Sequence, residues 1–186
     1  MVYPISKLLF LPLLRVIIKR VKGVENVPPK TPFIVVANHE HHLDHLLVGY
    51  LIISKLNRKV HFISVPLFWF AKTKIYSKWA GTILLFDPKQ AYQGAKKVIE
   101  SGGIVGIFPE GILERKDRKE NPKTGAVRLA LETRTPILPM GIRFSSKPFS
   151  STINIGKLIH IKNKKNIKKQ TLDLLKSTYE LRDELS

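Results

Sequence analysis

The sequence predicts a single α/β domain with a mixed, mainly parallel sheet flanked by helices. Short, fully apolar runs recur along the chain, and such runs are typical of strands buried on both faces. They lie at residues 33–37, 60–65, 82–86, 104–108 and 137–142. Helical patterns at 91–100 and 124–133 separate some of them, and this alternation favours a parallel sheet. With 186 residues, 44% of them apolar, the chain has enough material for one core.

The first 22 residues predict an interfacial membrane-associating segment. Their apolar run is interrupted by a lysine, a proline and an arginine before it reaches the roughly 20 residues of a membrane span. A basic cluster at 19–22 follows the apolar part and suits contact with phosphate headgroups. A signal peptide has the opposite order of charge and apolar run. The alternative interpretation is a helix packed on the core of the protein itself.

The charge of the chain favours a polyanionic partner. The sequence contains thirty-two Lys and Arg but only fourteen Asp and Glu, which gives a formal charge of +18. Such a charge attracts nucleic acid or an anionic bilayer. Residues 65–81 interleave aromatic and basic side chains, as expected at a bilayer interface. The predicted interface residues are Trp69, Lys72, Lys74 and Trp79. The sequence contains no RNP1, zinc-finger or helix-turn-helix signature, so an anionic membrane surface is the expected partner and a nucleic-acid-binding module is an alternative.

Residues 38–47 contain four of the six histidines and two carboxylates, directly after the first apolar run. A metal-dependent hydrolase with ligands His39, His41 and His45 is one interpretation, because imidazole binds many metals. The zincin pattern His-Glu-x-x-His fails because Leu43 stands at its second histidine position. The hydrolase interpretation stays open as an alternative.

An acid/base pair is the other interpretation of this cluster. In one continuous helix, His39 and Asp44 would face about 140° apart and could not meet. They can meet if the strand ends at Ala37 and the helix begins near Asp44, with His39 in the turn between. Asp44 would then fix the imidazole tautomer and leave the other ring nitrogen to take a proton. The sequence has no cysteine and no G-x-S-x-G elbow, so the nucleophile must come from the substrate.

The spacing His-x-x-x-x-Asp after a buried strand resembles block I of the glycerolipid acyltransferase family, in the lysophospholipid acyltransferase superfamily. Two further blocks follow in the family's order. FPEGILER at 108–115 is similar to its FPEGTR block, and PILPMGI at 136–142 is similar to its V-P-I-x-P-V block. The resemblance covers about 33–144 and implies that residues 23–186 form an acyltransferase domain.

The FPEG block implies further site residues. Glu110 stands at a strand end and, by the resemblance, belongs to the acceptor and active-site network. Gly111 either lets backbone approach a ligand closely or only satisfies a positive φ. Candidate donors for the oxyanion are backbone N–H groups near the Gly111 turn or at the helix start after His39.

Two positions depart from the family pattern. Asp87 and Leu113 stand where the family usually has phosphate-binding arginines. Arg115 and Lys123 are therefore the expected source of replacement charge.

The resemblance implies transfer of an acyl group from acyl-CoA or an acyl carrier protein to a glycerolipid hydroxyl. The expected lysolipid acceptor is 1-acyl-glycerol-3-phosphate, and the expected location is the cytoplasmic face of the membrane, as a peripheral or monotopic enzyme of phospholipid synthesis. His39 would be the general base and Asp44 its partner. No metal or bound cofactor is expected.

Two predictions concern the end of the chain. Residues 166–185 predict an amphipathic terminal helix with Leu172, Leu175 and Tyr179 along one face. Pro139 is expected to stop the strand of the third block.

Overall fold

The structure is a computed structural model that describes residues 4–64, 81–113, 117 and 119–185, with side chains described from residue 11 onward. The predicted interface residues at 69–79 and Arg115 lie outside this part of the chain. The described helices are α1 (Pro4–Ile17), α2 (Asp44–Leu56), α3 (Pro88–Glu100), α4 (Gly125–Thr133) and α5 (Ile167–Asp183). The described strands are β1 (Ile18–Lys22), β2 (Phe33–Ala37), β3 (Val60–Ser64), β4 (Thr82–Leu84), β5 (Ile104–Ile107), β6 (Ile137–Arg143) and β7 (Ser151–Ile155).

The described strands form one seven-stranded sheet in the order β1-β7-β6-β2-β5-β3-β4. All neighbouring pairs are parallel except β6 with β7. In β2, Ile34 pairs with Val105 on one side and with Ile137 on the other, so β2 is a central strand. The predicted fold, a single α/β domain with a mixed, mainly parallel sheet, is confirmed.

Helices cover both faces of the sheet because the β2 side chains alternate between two cores. Phe33 and Val35 pack with the apolar side of α2, whereas Ile34 and Val36 pack with residues from α3, α4 and α5. All five β2 residues are buried. The polar residues that follow β2 are therefore presented at the carboxyl edge of the sheet, where parallel α/β proteins place their ligands.

Two strands were not predicted from the sequence. β1 contains two lysines and an arginine, and β7 reads STINI, so neither shows the apolar run used to find the others. β1 is an edge strand that pairs with β7, and lysines are common at sheet edges. Residues 18–22 thus lie in the sheet, although they fall within the predicted interfacial segment.

The prediction for the face of the terminal helix is partly wrong. Leu172 is 39% exposed, and the residues that α5 buries are Thr171, Leu174, Leu175 and Thr178. The helical period of this segment is compatible with more than one buried face. The face that is buried includes two threonines, so its apolar pattern was not evident in the sequence.

The prediction for Pro139 is also wrong, because this residue lies inside β6. The N–H that proline lacks limits only the ladder with β7, which begins at Met140. The Pro139 carbonyl accepts a hydrogen bond from the Gly156 N–H at 2.9 Å.

Among the described residues, none of the helices combines the length and apolar character needed to cross a bilayer.

Candidate active site

The loop after β2 is fixed to the neighbouring strand by a buried asparagine. Asn38 is fully buried. Its Nδ2 donates to the Ile142 carbonyl at 2.8 Å, and its Oδ1 accepts from the Ile142 N–H at 2.7 Å. Since both bonds go to the backbone of β6, they set where the next residue, His39, leaves the sheet. Sequence reasoning assigned no role to Asn38, because its partner lies 104 residues away.

His39 and Asp44 contact each other in the arrangement that a strand, turn and helix allow. His39 Nδ1 lies 3.2 Å from Asp44 Oδ2. Asp44 is the first residue of α2 and is buried. The same Oδ2 accepts the backbone N–H groups of Glu40 and His41 at 2.7 and 2.8 Å. The carboxylate is thus held by backbone N–H groups of the same loop that carries His39, and it contacts Nδ1 of the imidazole.

The His39 ring is also held from its face. It stacks on Phe108, with ring centroids 4.3 Å apart and an interplanar angle of 18°. Phe108 in turn stacks on Phe62 at 5.9 Å. A ring fixed by one hydrogen bond and one stacking contact has little freedom to rotate, which favours a defined direction for proton transfer.

Glu110 holds the backbone of His39. It is fully buried, and its Oε2 accepts the His39 N–H at 3.2 Å. Its Oε1 accepts a hydrogen bond from the Tyr179 hydroxyl of α5. Gly111 follows with φ of +76°, so the positive φ that a glycine tolerates is required in this turn.

The terminal helix α5 contacts the same loop through charged groups. Arg182 Nη1 donates to Glu40 Oε2 at 2.5 Å, and Lys119 Nζ lies 3.4 Å from Glu40 Oε1. Both cations also lie over the Tyr179 ring, 4.6 and 4.5 Å from its centroid. The loop from His39 to Glu40 is therefore tied to α5 at two carboxylates, a connection that the sequence did not reveal.

The other histidines of the cluster point to separate partners. His41 stacks on Phe144 at 4.4 Å, and its Nδ1 accepts the Leu43 N–H at 3.1 Å. His45 donates from Nδ1 to the His42 carbonyl at 2.9 Å. Desolvation by the surrounding protein lowers the pKa of His45, which favours its neutral form at pH 7. Within the described residues no set of three or more His, Asp or Glu is arranged to hold a metal ion.

Asp87, which departs from the family pattern, has a structural role in this chain. It is the N-cap of α3, where its carboxylate accepts the N–H groups of Lys89 and Gln90 at 3.2 and 3.0 Å. Pro88 occupies the first helical position, which is typical after a capping aspartate. The carboxylate at this position therefore stabilises a helix start.

Three of the amides considered as oxyanion donors already have partners inside the protein. The N–H groups of Glu40 and His41 donate to Asp44. The Gly111 N–H donates to the Phe108 carbonyl at 3.0 Å. These three N–H groups are thus used to shape the loops.

His39 opens onto a cavity of about 1570 Å³. Two further histidines of the cluster, His42 and His45, share this lining with Phe108 and Gly111. Among the predicted site residues, Lys123 lines it as well, whereas Asp44 and Glu110 are buried behind the lining. The cavity thus brings together the imidazole, apolar side chains and a cationic side chain.

A family model described as Acyltransferase matches residues 19–143, which is more than half of the chain. The chain belongs to the acyltransferase family. It is 28% identical over 150 residues to a 1-acyl-sn-glycerol-3-phosphate acyltransferase of Borreliella burgdorferi, covering 76% of this chain and 58% of that protein. It is 29% identical over 172 residues to a probable 1-acyl-sn-glycerol-3-phosphate acyltransferase of Mycoplasma pneumoniae, covering 84% and 58%. The chain thus spans less than two thirds of the length of these relatives.

A solved structure shares the fold. The 1-acyl-sn-glycerophosphate (LPA) acyltransferase PlsC of Thermotoga maritima matches with a TM-score of 0.66 and 19% identity, covering 97% of this chain and 76% of that one. The resemblance of the three sequence blocks to glycerolipid acyltransferases is confirmed at the level of family and fold.

Proposed function

We propose that this protein transfers an acyl group from an acyl thioester to the hydroxyl of a glycerolipid. The observation that carries the proposal is the His39–Asp44 contact at 3.2 Å, made beside a cavity that His39 lines. Asp44 keeps the Nδ1–H tautomer, so Nε2 is the base. The sequence contains no cysteine, and the acceptor hydroxyl supplies the nucleophile.

The reaction balances with His39 alone as proton carrier. Nε2 takes the proton of the acceptor hydroxyl while its oxygen forms a bond to the thioester carbonyl carbon. The tetrahedral intermediate then collapses, the carbon–sulfur bond breaks, and the leaving thiolate takes the proton from His39. Asp44 stabilises the imidazolium between these steps. Because the thioester is already activated, this reaction needs neither a metal nor a bound cofactor.

The proposed acceptor is 1-acyl-glycerol-3-phosphate, and the names of the relatives from Borreliella burgdorferi and Mycoplasma pneumoniae support it. Its phosphate monoester requires a cation near His39. Lys123 lines the cavity, and its backbone N–H donates to the Pro109 carbonyl at 2.6 Å. This hydrogen bond holds the backbone of Lys123 beside the turn at Glu110. We assign phosphate binding to Lys123, together with Arg115 as the sequence predicts.

We propose that the protein acts at an anionic membrane surface, on the cytoplasmic face of the membrane. Helix α1 exposes Leu13 and Val16, which are 63% and 46% accessible. Phe149, 63% accessible, lies next to them, because its N–H donates to the Val16 carbonyl at 2.9 Å. Exposed apolar side chains beside the cations of β1 suit insertion at a headgroup layer.

A thiol-release assay with purified protein tests the function. Acyl-CoA and an acyl carrier protein are each offered with a panel of lysolipids, including lysophosphatidate and a neutral monoacylglycerol. We expect thiol release that depends on a lysolipid, forms the diacyl product and persists after treatment with a chelator. Thiol release without a lysolipid would indicate a thioesterase, and loss of activity on chelation would favour the metal-dependent alternative.

A further inference from the structure

The cavity that begins at His39 continues to the opposite end of the sheet. His39 follows the carboxyl end of β2, whereas Thr135, another lining residue, precedes the amino end of β6. The two strands are parallel neighbours, with Ile34 paired to Ile137. Since β2 contains five residues, these two lining residues lie beyond opposite ends of a strand about 17 Å long.

The far end of the cavity is basic. Its lining residues there are Arg134, His160, Lys162 and Lys164. No carboxylate in the described part of the chain forms an ion pair with any of them. The one acid of the neighbouring lining, Glu132, is already engaged by Lys96 and by the Tyr92 hydroxyl. The charges of Arg134, Lys162 and Lys164 therefore face the cavity without compensation by described acids.

Arg134 stands at this end in an unusual backbone conformation. It is the C-cap of α4 with φ of 54°, a left-handed conformation that glycine adopts at lower cost. Its N–H closes the helix onto the Ala130 carbonyl. The chain thus carries an exposed cation at a helix end where a glycine would be the ordinary choice.

The walls between the two ends are largely apolar. They include Ile107, Ala95 and Leu129, beside the single cation Arg128 of α4. A ligand that fits this cavity has a reactive group at one end, a long and weakly polar middle, and an anionic group at the other end.

We infer that the basic far end binds the phosphate of the phosphopantetheine arm that carries the acyl thioester. This inference rests on the proposed function. The arm places its thioester and its phosphate at opposite ends of a chain roughly as long as five extended residues. With its carbonyl at His39, its phosphate reaches Lys162, Lys164 and Arg134. Both coenzyme A and an acyl carrier protein contain this arm, so the chemistry recognised is shared by the two donors.

The test compares three donors in the thiol-release assay at a saturating concentration of a soluble, short-chain lysophosphatidate. Acyl-CoA and acyl carrier protein contain the phosphate, and acyl-pantetheine lacks it. We expect Lys162→Glu combined with Lys164→Glu to raise the KM for one or both phosphorylated donors by about ten-fold or more, with kcat changed less than about two-fold. The KM for acyl-pantetheine should not change. The phosphorylated donor with the larger increase identifies the source of the arm.

A matched control carries the same change of charge on the same segment. Lys157→Glu combined with Lys169→Glu alters two exposed lysines that do not line the cavity, and we expect unchanged KM values for all three donors. An equal KM increase for acyl-pantetheine in the Lys162 and Lys164 variant, or no increase for any donor, would overturn the inference.

Calorimetric binding tests the site without catalysis. We expect the wild type to bind phosphopantetheine more tightly than pantetheine, and the Lys162 and Lys164 variant to lose this difference. Equal binding of the two by the wild type contradicts the inference. A wild type that binds phosphopantetheine more tightly but releases no thiol from any donor contradicts the proposed function and leaves the binding site in place.

Discussion

Residues 38–44 and the basic residues of the cavity contribute to one site but are held in opposite ways. In the loop, Asn38 and Asp44 are buried and make hydrogen bonds of 2.7 to 3.2 Å. The cavity cations Lys123, Lys162 and Lys164 are exposed and form no ion pair with a described carboxylate. Proton transfer requires fixed geometry, whereas a lysine can neutralise phosphate from several positions. Changes in the loop should therefore lower kcat, and changes among the cations should raise KM.

The largest effect is expected at His39. His39→Ala removes the proposed base and should lower kcat by about 10²–10⁴-fold, with little change in the fold, because the ring lies at the cavity wall. Steady-state thiol release measures the rate, and thermal unfolding checks the fold. A variant that keeps its melting temperature and its lysolipid-dependent activity would show that His39 is not the base.

A smaller loss is expected at Asp44, the proposed partner of the base. Asp44→Asn can keep one oxygen for the N–H groups of Glu40 and His41 but removes the charge that stabilises the imidazolium. We expect kcat to fall by about 10²-fold and both KM values to stay within about two-fold. A large increase in KM with unchanged kcat would contradict the division between the loop and the cations.

The sequence predicted the local part of this loop and missed its distant supports. An apolar run followed by a polar cluster is visible in one short segment, so β2, His39 and Asp44 were found together. The bonds from Asn38 to Ile142 and from Glu110 to Tyr179 join residues 104 and 69 positions apart. No periodic pattern in the sequence indicates hydrogen bonds between residues so far apart. β1 and β7 were missed for a related reason, since an edge pairing of polar strands has no apolar signature.

Tyr179 tests whether a distant support contributes to the chemistry. Tyr179→Phe removes only the hydroxyl that donates to Glu110 and keeps the ring beneath Arg182 and Lys119. A hydrogen bond to a charged group contributes about 1.5–3 kcal/mol. If roughly half of this is lost in the transition state, kcat falls by roughly four- to ten-fold, because Glu110 holds the His39 N–H less firmly.

A matched tyrosine separates this effect from general loosening of the fold. Tyr50 lies on α2, packs against the core and makes no hydroxyl hydrogen bond in the described part of the chain. Tyr50→Phe should leave kcat unchanged. Combining Tyr179→Phe with Glu110→Gln should cost less than the product of the two single effects, since both act through one carboxylate. Fully additive losses would show that Tyr179 acts independently of Glu110.

Lys123 tests the other half of the comparison, because its effect should appear in KM and depend on the acceptor. Lys123→Ala removes a cavity cation that no described carboxylate pairs with, so neither kcat nor stability should change much. We expect the KM for lysophosphatidate to rise about ten-fold, which corresponds to about 1.4 kcal/mol if KM tracks binding. The KM for a neutral monoacylglycerol should stay the same, because this acceptor has no phosphate for Lys123 to bind.

Lys123→Arg keeps the charge and should restore most of the affinity for lysophosphatidate. An equal KM increase for both acceptors would show that Lys123 shapes the cavity and does not bind the phosphate. Another cation would then have to bind the phosphate, and Arg115 is the candidate nearest in sequence to the Glu110 turn.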